Sequence, residues 1–356
     1  MKPKRLQRCD DRSTPPELVT AATGISMEYS LINPLVAVRD IHFGSTVIVA
    51  GIVFFDFFVA SPTLRTTGSQ LGTTAAALRT CTALALWISM ALSIVSGIAW
   101  LCLLAARIVG KPIEDVIADG TVWIVLSQTQ FGFAWKLRFL FGVLLAACLL
   151  ARRAKNHVTP IWQEVLAALL AGAYLGSLSF AGHGEEGLGL ERNLHLAADF
   201  LHLIAVGLWL GGLIPLALFL LYLRRFREEA WVTAAGDAAC RFSNLGIIAV
   251  ATLLVSGTIN VWFLVGSMQG FVGTSYGRLL LLKITLFAAM VCLAGINREY
   301  LLPRLSGEIG TNPASRTVQW LLRSSLVEIV LGIGIILIVG MLGIMAPATD
   351  MHAHLH

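Results

Sequence analysis

Three ionisable side chains interrupt one apolar segment: His195, Asp199 and His202, spaced by four and three residues in the run 191–215, ERNLHLAADFLHLIAVGLWLGGLIP. At about 100° per residue, a helix brings all three onto one stripe. Two imidazole nitrogens and a carboxylate oxygen are a donor set suited to a divalent transition metal. Asp199 has a second possible use, which is to accept the spare ring N–H of a histidine and so fix its orientation. The plainer alternative is a polar stripe that hydrogen-bonds to neighbouring helices. Spacing alone leaves both readings open.

Other histidines fall at similar positions relative to the apolar runs. His42 lies early in the first run, in RDIHFGS, and His183 follows the fourth, in AGHGEEG. Met341 and Met345 share a helix face near the end of the chain, and Met351, His352, His354 and His356 follow them. Thioether and imidazole suit copper, the thioether especially Cu(I). The competing reading of that tail is a frayed polar end. Asn260, Lys283 and Glu328 are polar groups inside apolar runs, and they are candidates for steps of a translocation path. Asp56 is a further buried carboxylate of the same kind. Each of these can instead pair with a neighbouring helix. Gly211, Gly212 and Pro215 permit close packing and a kink.

The elements that must position these groups follow from composition. Of 356 residues, 56% are hydrophobic and only 13% charged, and mean hydropathy is +0.78. Soluble domains carry about 25% charged residues. The chain is therefore expected to be an all-α polytopic membrane protein. Apolar runs of spanning length, about 20 residues, fall at 35–60, 81–106, 131–151, 161–181, 194–221, 242–265, 277–297 and 321–346. That predicts a bundle of eight helices over 35–346, between a polar tail at 1–34 and a His/Met-containing tail at 347–356. No internal repeat stands out by eye. Residues 113–130 are too short and too polar to span, and read as an interfacial segment.

Basic residues set the expected orientation. One set of loops holds most of them, including Arg65, Arg79, Arg152, Arg153, Arg224, Arg225, Arg241, Arg298 and Arg304; the opposite loops hold Arg107, Lys111, Arg192 and Arg278. The richer set is expected in the cytoplasm. Both termini and all histidines except His157 then face the periplasm. The net charge of +5 reads as loop charge and not as a nucleic-acid stripe. The six cysteines form no C-x-x-C pair and predict no disulfide framework. No phosphate-binding Gly-Lys-Ser/Thr loop, aspartyl-phosphate motif, serine elbow or H-E-x-x-H is present, and no enzyme activity is expected.

A series of segments carries a family resemblance: IHF at 41–43, LSQTQFG at 126–132, AGHG at 181–184, HLAADFLHLIAVGLWLGGLIP at 195–215, RFSNLG at 241–246, SGTIN at 256–260, YGRLLLLK at 276–283 and NREYLLPR at 297–304. In this order they resemble the copper-resistance membrane protein D family over nearly all of 35–346. The resemblance implies an inner-membrane protein that moves copper from the periplasm toward the cytoplasm and contributes to copper resistance. It also implies a separate small periplasmic copper-binding protein as partner, and His42, His183, His195 and His202 as copper-handling residues. Two alternatives from other classes are a membrane electron-transfer protein holding b-type haem between histidines and a partner subunit without a ligand.

Overall fold

The computed structural model describes residues 33–154, 160–181, 189–223, 229–265, 268–307 and 314–345, and among these there is no strand. Eight helices among the described residues are long and apolar enough to cross a bilayer. They are, first to eighth, Pro34–Arg65, Ala76–Val109, Gln130–Arg153, Ile161–Ala181, Leu190–Tyr222, Val232–Val265, Ser275–Leu305 and Arg316–Leu342. They coincide with the eight apolar runs. Several overrun them, the sixth and seventh most of all, because a helix continues through polar residues such as Asp237 and Arg241 once it leaves hydrocarbon. All backbone polar groups of such a helix are satisfied within the segment, which is what a bilayer demands.

Local signals account for the helix ends. Asn33 accepts a hydrogen bond from the Leu35 amide at 3.0 Å, with Pro34 at the first helical position. This pairing suits a helix start. Gly110 ends the second span at φ 70°, a conformation open to glycine. Between the second and third spans lie two short helices, Ile113–Ala118 and Thr121–Gln128, as expected for an interfacial segment. There Lys111 and Thr121 donate to Asp119 and hold its carboxyl down at about 2.

The first span is the axis of the bundle. Its side chains pack into both large apolar clusters, Val47, Val49 and Val53 into one and Phe55 and Val59 into the other. The opposite surfaces of the outer helices expose Leu84, Ile88, Val95, Leu169, Val255 and Val330, a belt suited to lipid. At one end of the bundle, cations pair with carboxylates across helices. Arg152 donates to Asp56 at 2.9 Å and Arg65 to Glu164 at 3.0 Å, while Thr63 and Arg241 share Asp237. Asp56 thus takes the packing role. We call this the basic end, and the other the histidine end.

Contrary to the sequence expectation, the chain does repeat. His42, Gly51, Ser96 and Gly97 of the first two spans recur at one constant offset as His202, Gly211, Ser256 and Gly257 of the fifth and sixth. At a second constant offset, Thr129 and Gly132 recur as Thr274 and Gly277, while Lys283 and Asn297 stand at the positions of Arg138 and Arg152. The geometry repeats with them. Thr129 accepts from the Gly132 amide at 3.0 Å, and Thr274 from the Gly277 amide at 2.9 Å. Each threonine caps a span preceded by a short helix. Gly51 and Gly211 touch each other, and a Cβ on either would overlap the other's backbone. Equivalent points of the two four-span halves thus meet, as they do for parallel repeats about an axis along the membrane normal. The repeat escapes the eye because few residue types are shared across long apolar stretches.

Candidate functional site

A cavity of about 510 Å³ opens within the second half and is closed on one side by the first span. His195, Asp199 and His202 line it from the fifth span, Asn260 from the sixth, and Tyr276 and Lys283 from the seventh. Five residues singled out from the sequence therefore share one space.

The hydrogen bonds around His202 fix which ring nitrogen is free. Ser256 Oγ donates to the Thr252 carbonyl at 2.6 Å, so it accepts from His202 Nδ1 at 3.0 Å. Nδ1 therefore carries the proton and Nε2 keeps its lone pair. His195 is only 4% exposed. Its ring stacks on Phe263 with centroids 4.9 Å apart, and its Nε2 is buried without a hydrogen-bond partner. A buried polar atom left unbonded is costly, and here it is an imidazole nitrogen. Asp199 lies between the two histidines and accepts from Asn260 Nδ2 at 2.5 Å. Lys283 is a charged neighbour of both Asp199 and His202.

The one-stripe reading of these three residues needs a correction along the helix axis. Seven residues separate His195 from His202, a rise of about 10 Å, and no group of three or more His, Cys, Asp or Glu side chains among the described residues is gathered closely enough to hold one ion. The arrangement is a ladder, with Asp199 as the middle rung, and not a single coordination shell.

His42 is placed elsewhere. Residues Arg39, Phe43 and Val47 of the first span line the cavity, while His42 faces the second and third spans and is 1% exposed. Its Nδ1 donates to the Ser93 carbonyl at 2.9 Å, and its Nε2 accepts from Arg138 at 2.7 Å. Both ring nitrogens are occupied. Arg138, also 1% exposed, donates further to the Tyr174 carbonyl and to Ser177 Oγ, each at 3.1 Å. Trp100 and Trp135 pack around the His42 ring at 5.5 and 5.3 Å. The expectation that His42 joins the other imidazoles is not met, because the sequence does not say which face of the first span looks into the cavity.

Met345 packs with Met341, Val36, Val265 and Tyr276 in an apolar cluster behind the cavity wall. His183, Met351, His352, His354 and His356 lie outside the described residues. Glu328 belongs to a second cavity of about 350 Å³ toward the basic end, which also borders Asn297, Arg298 and Ser325. Trp209, in the π-helical turn Gly207–Gly211, lines both cavities and forms part of the wall between them.

Sequence reasoning passed over four residues. Arg39 lines the cavity, donates to the Gly343 carbonyl at 2.6 Å and lies over Trp100. Ser256 orients His202, Arg138 saturates His42, and Asn297 donates to Glu328. Arg39 and Arg138 were readable as cations inside apolar runs. The roles of Ser256 and Asn297 depend on contacts between helices.

Comparison with known proteins covers most of the chain. The family Copper resistance protein D matches residues 236–342, and the family Copper resistance protein D-like, N-terminal domain, matches residues 30–193. The chain is 29% identical over 322 residues to the Copper resistance protein D of Pseudomonas syringae pv. tomato, covering 89% of this chain and 98% of that protein. It is 28% identical over 313 residues to the Inner membrane protein YebZ of Escherichia coli, covering 88% and 98%. The Copper transport protein CutJ of Bacillus subtilis is 30% identical over 200 residues, 56% of this chain and 35% of that protein. No solved structure matches.

Proposed function

Because this chain belongs to the copper resistance protein D family, we propose that it carries copper across the bacterial inner membrane from the periplasm toward the cytoplasm. The observation that supports this most is the pair of unspent imidazole nitrogens in one cavity. His195 Nε2 has no protein partner, and the Ser256 hydrogen bond leaves His202 Nε2 as a lone pair. A cation that enters at the histidine end meets His195, is handed to Asp199 and then to His202. Each rung offers only one or two donors. That suits passage, since a full shell would hold the ion too tightly to release it.

Imidazole nitrogen and carboxylate oxygen are compatible with Cu(II), and imidazole with either copper state. His183, and more weakly Met345, Met351, His352 and His354, are proposed as further ligands. Asn260 and Lys283 are proposed to set the charge around the Asp199 rung. His42 is proposed as a fixed part of the scaffold and not as a ligand. The basic end is assigned to the cytoplasm by its loop arginines, with both termini in the periplasm. A separate small periplasmic copper-binding protein would deliver the ion.

The test is isotopic copper uptake into proteoliposomes holding the purified full chain, together with metal analysis. Saturable uptake and stoichiometric copper in a colourless protein are expected. A strong Soret band with no copper uptake would replace this reading with haem-based electron transfer.

A further inference from the structure

The two halves treat their carboxylates at the basic end differently. In the first half, Asp56 is matched by Arg152 at 2.9 Å. The residue at the position of Arg152 in the second half is Asn297. Its amide donates to Glu328 Oε1 at 2.8 Å, but an amide brings no positive charge. Glu328 is 2% exposed, and no cation lies within ion-pair distance of it among the described residues. The cavity it borders has one other titratable lining group, Arg298. That guanidinium is directed at Ser243 Oγ and Asn244 Oδ1, at 2.9 and 3.0 Å, and it also approaches Glu299 at 3.9 Å. No titratable side chain of the fifth or sixth span lines this cavity.

A carboxylate in hydrocarbon with no counter-cation is neutralised by taking up a proton. Glu328 borders a cavity that extends to the partly exposed Arg298 near the basic end, which offers that proton an exit. The Asn297 arrangement accommodates either state. Its N–H donates to the carboxylate, and its Oδ1, buried and unbonded, is an acceptor available for a carboxylic acid O–H after a side-chain rotation.

We propose that Glu328 is a proton-binding site, and that copper in the neighbouring cavity displaces its proton. The coupling rests on the copper reading above; the proton site itself does not. Trp209 separates Glu328 from the histidine ladder, so the two ions occupy different cavities joined at one wall. A copper ion that reaches this wall favours the carboxylate, and the released proton passes to water at the basic end. Only the O–H bond breaks, one proton is released per copper bound, and the net charge of the protein rises by the copper charge less one.

Two measurements on the full chain test this. Infrared difference spectra in lipid nanodiscs are expected to show a protonated-carboxyl C=O band that fades as pH rises and is absent in Glu328→Gln. Glu328→Asp should retain such a band at a shifted position. A wild-type protein whose carboxyl bands do not differ from those of Glu328→Gln overturns the proton site, whatever happens with copper. Copper added to purified wild type in weakly buffered solution is expected to release a proton for each copper bound, and Glu328→Gln to release one fewer. If the variant releases as many protons as wild type does, the coupling is overturned. Vesicles in which wild type moves no copper while the band titrates overturn the transport reading and support the proton site.

Discussion

The two halves of the bundle hold the same histidine in the same socket and leave it in opposite chemical states. His42 and His202 each give the Nδ1 proton to the second helix of their half, beside Ser96 and Ser256. Those hydroxyls each donate to a carbonyl four residues earlier. Gly97 and Gly257 each sit against Cε1 of their ring. The difference lies on the far side of the ring. In the first half Arg138 fills the Nε2 position, and Trp100, Trp135 and Phe131 pack the space. In the second half the matching positions hold Asn260, Leu280 and Tyr276 with Lys283, and the space is open. Burial alone would favour His42, which is buried where His202 is partly exposed. The second ring nitrogen distinguishes them: one is spent on structure and the other is available to a ligand.

Substitutions can break or sharpen this contrast. The largest effect on copper is expected from His195→Ala combined with His202→Ala. Copper retained by the purified protein should fall to background while its melting temperature changes little. Retention of stoichiometric copper would remove the ladder from the mechanism. Next is His42→Ala, which leaves the Arg138 guanidinium buried with fewer acceptors. A stability loss of about 3 kcal/mol is expected, read by unfolding in detergent, with copper binding per folded molecule unchanged. Should copper binding fall as far as in the double variant, the halves are not functionally distinct.

Lys283→Arg makes the second half resemble the first. The guanidinium is expected to reach His202 Nε2 and to weaken copper binding by about 50-fold, within the range for disturbed ligand surroundings. Binding at wild-type strength would show that Arg138 is not what silences His42. The smallest effect is expected from Ser256→Ala, which frees the His202 tautomer. Copper affinity should drop by about tenfold, measured by competition with a chelator, and Ser256→Thr should restore most of it.

The eight spans were legible because each needs about 20 apolar residues and little else. The His195, Asp199 and His202 face was legible from helical angle. The same arithmetic also held the correction, since rise per residue puts the two histidines two turns apart. The ring orientation of His42 and the partners of Asp199 were not legible. They depend on which helices neighbour one another, and hydropathy says nothing of that. Asp56 and Glu328 make the same point: both read as buried carboxylates, yet one meets Arg152 and the other only Asn297. The repeat lay in the sequence all along, at two constant offsets. Its few matching residues stand out only once their hydrogen bonds are compared.

The first span leaves the ribosome before every group that completes it. Arg39 finds its acceptor in Gly343, 304 residues onward; His42 waits for the third span, and Asp56 for Arg152 at that span's far end. A nascent helix with these side chains unanswered is a poor candidate for early release into lipid. Its natural holding place is the protein-lined channel of the insertion machinery, or a chaperone, until the last helix arrives. Truncated translation products should accordingly be degraded and not accumulate as stable half-bundles.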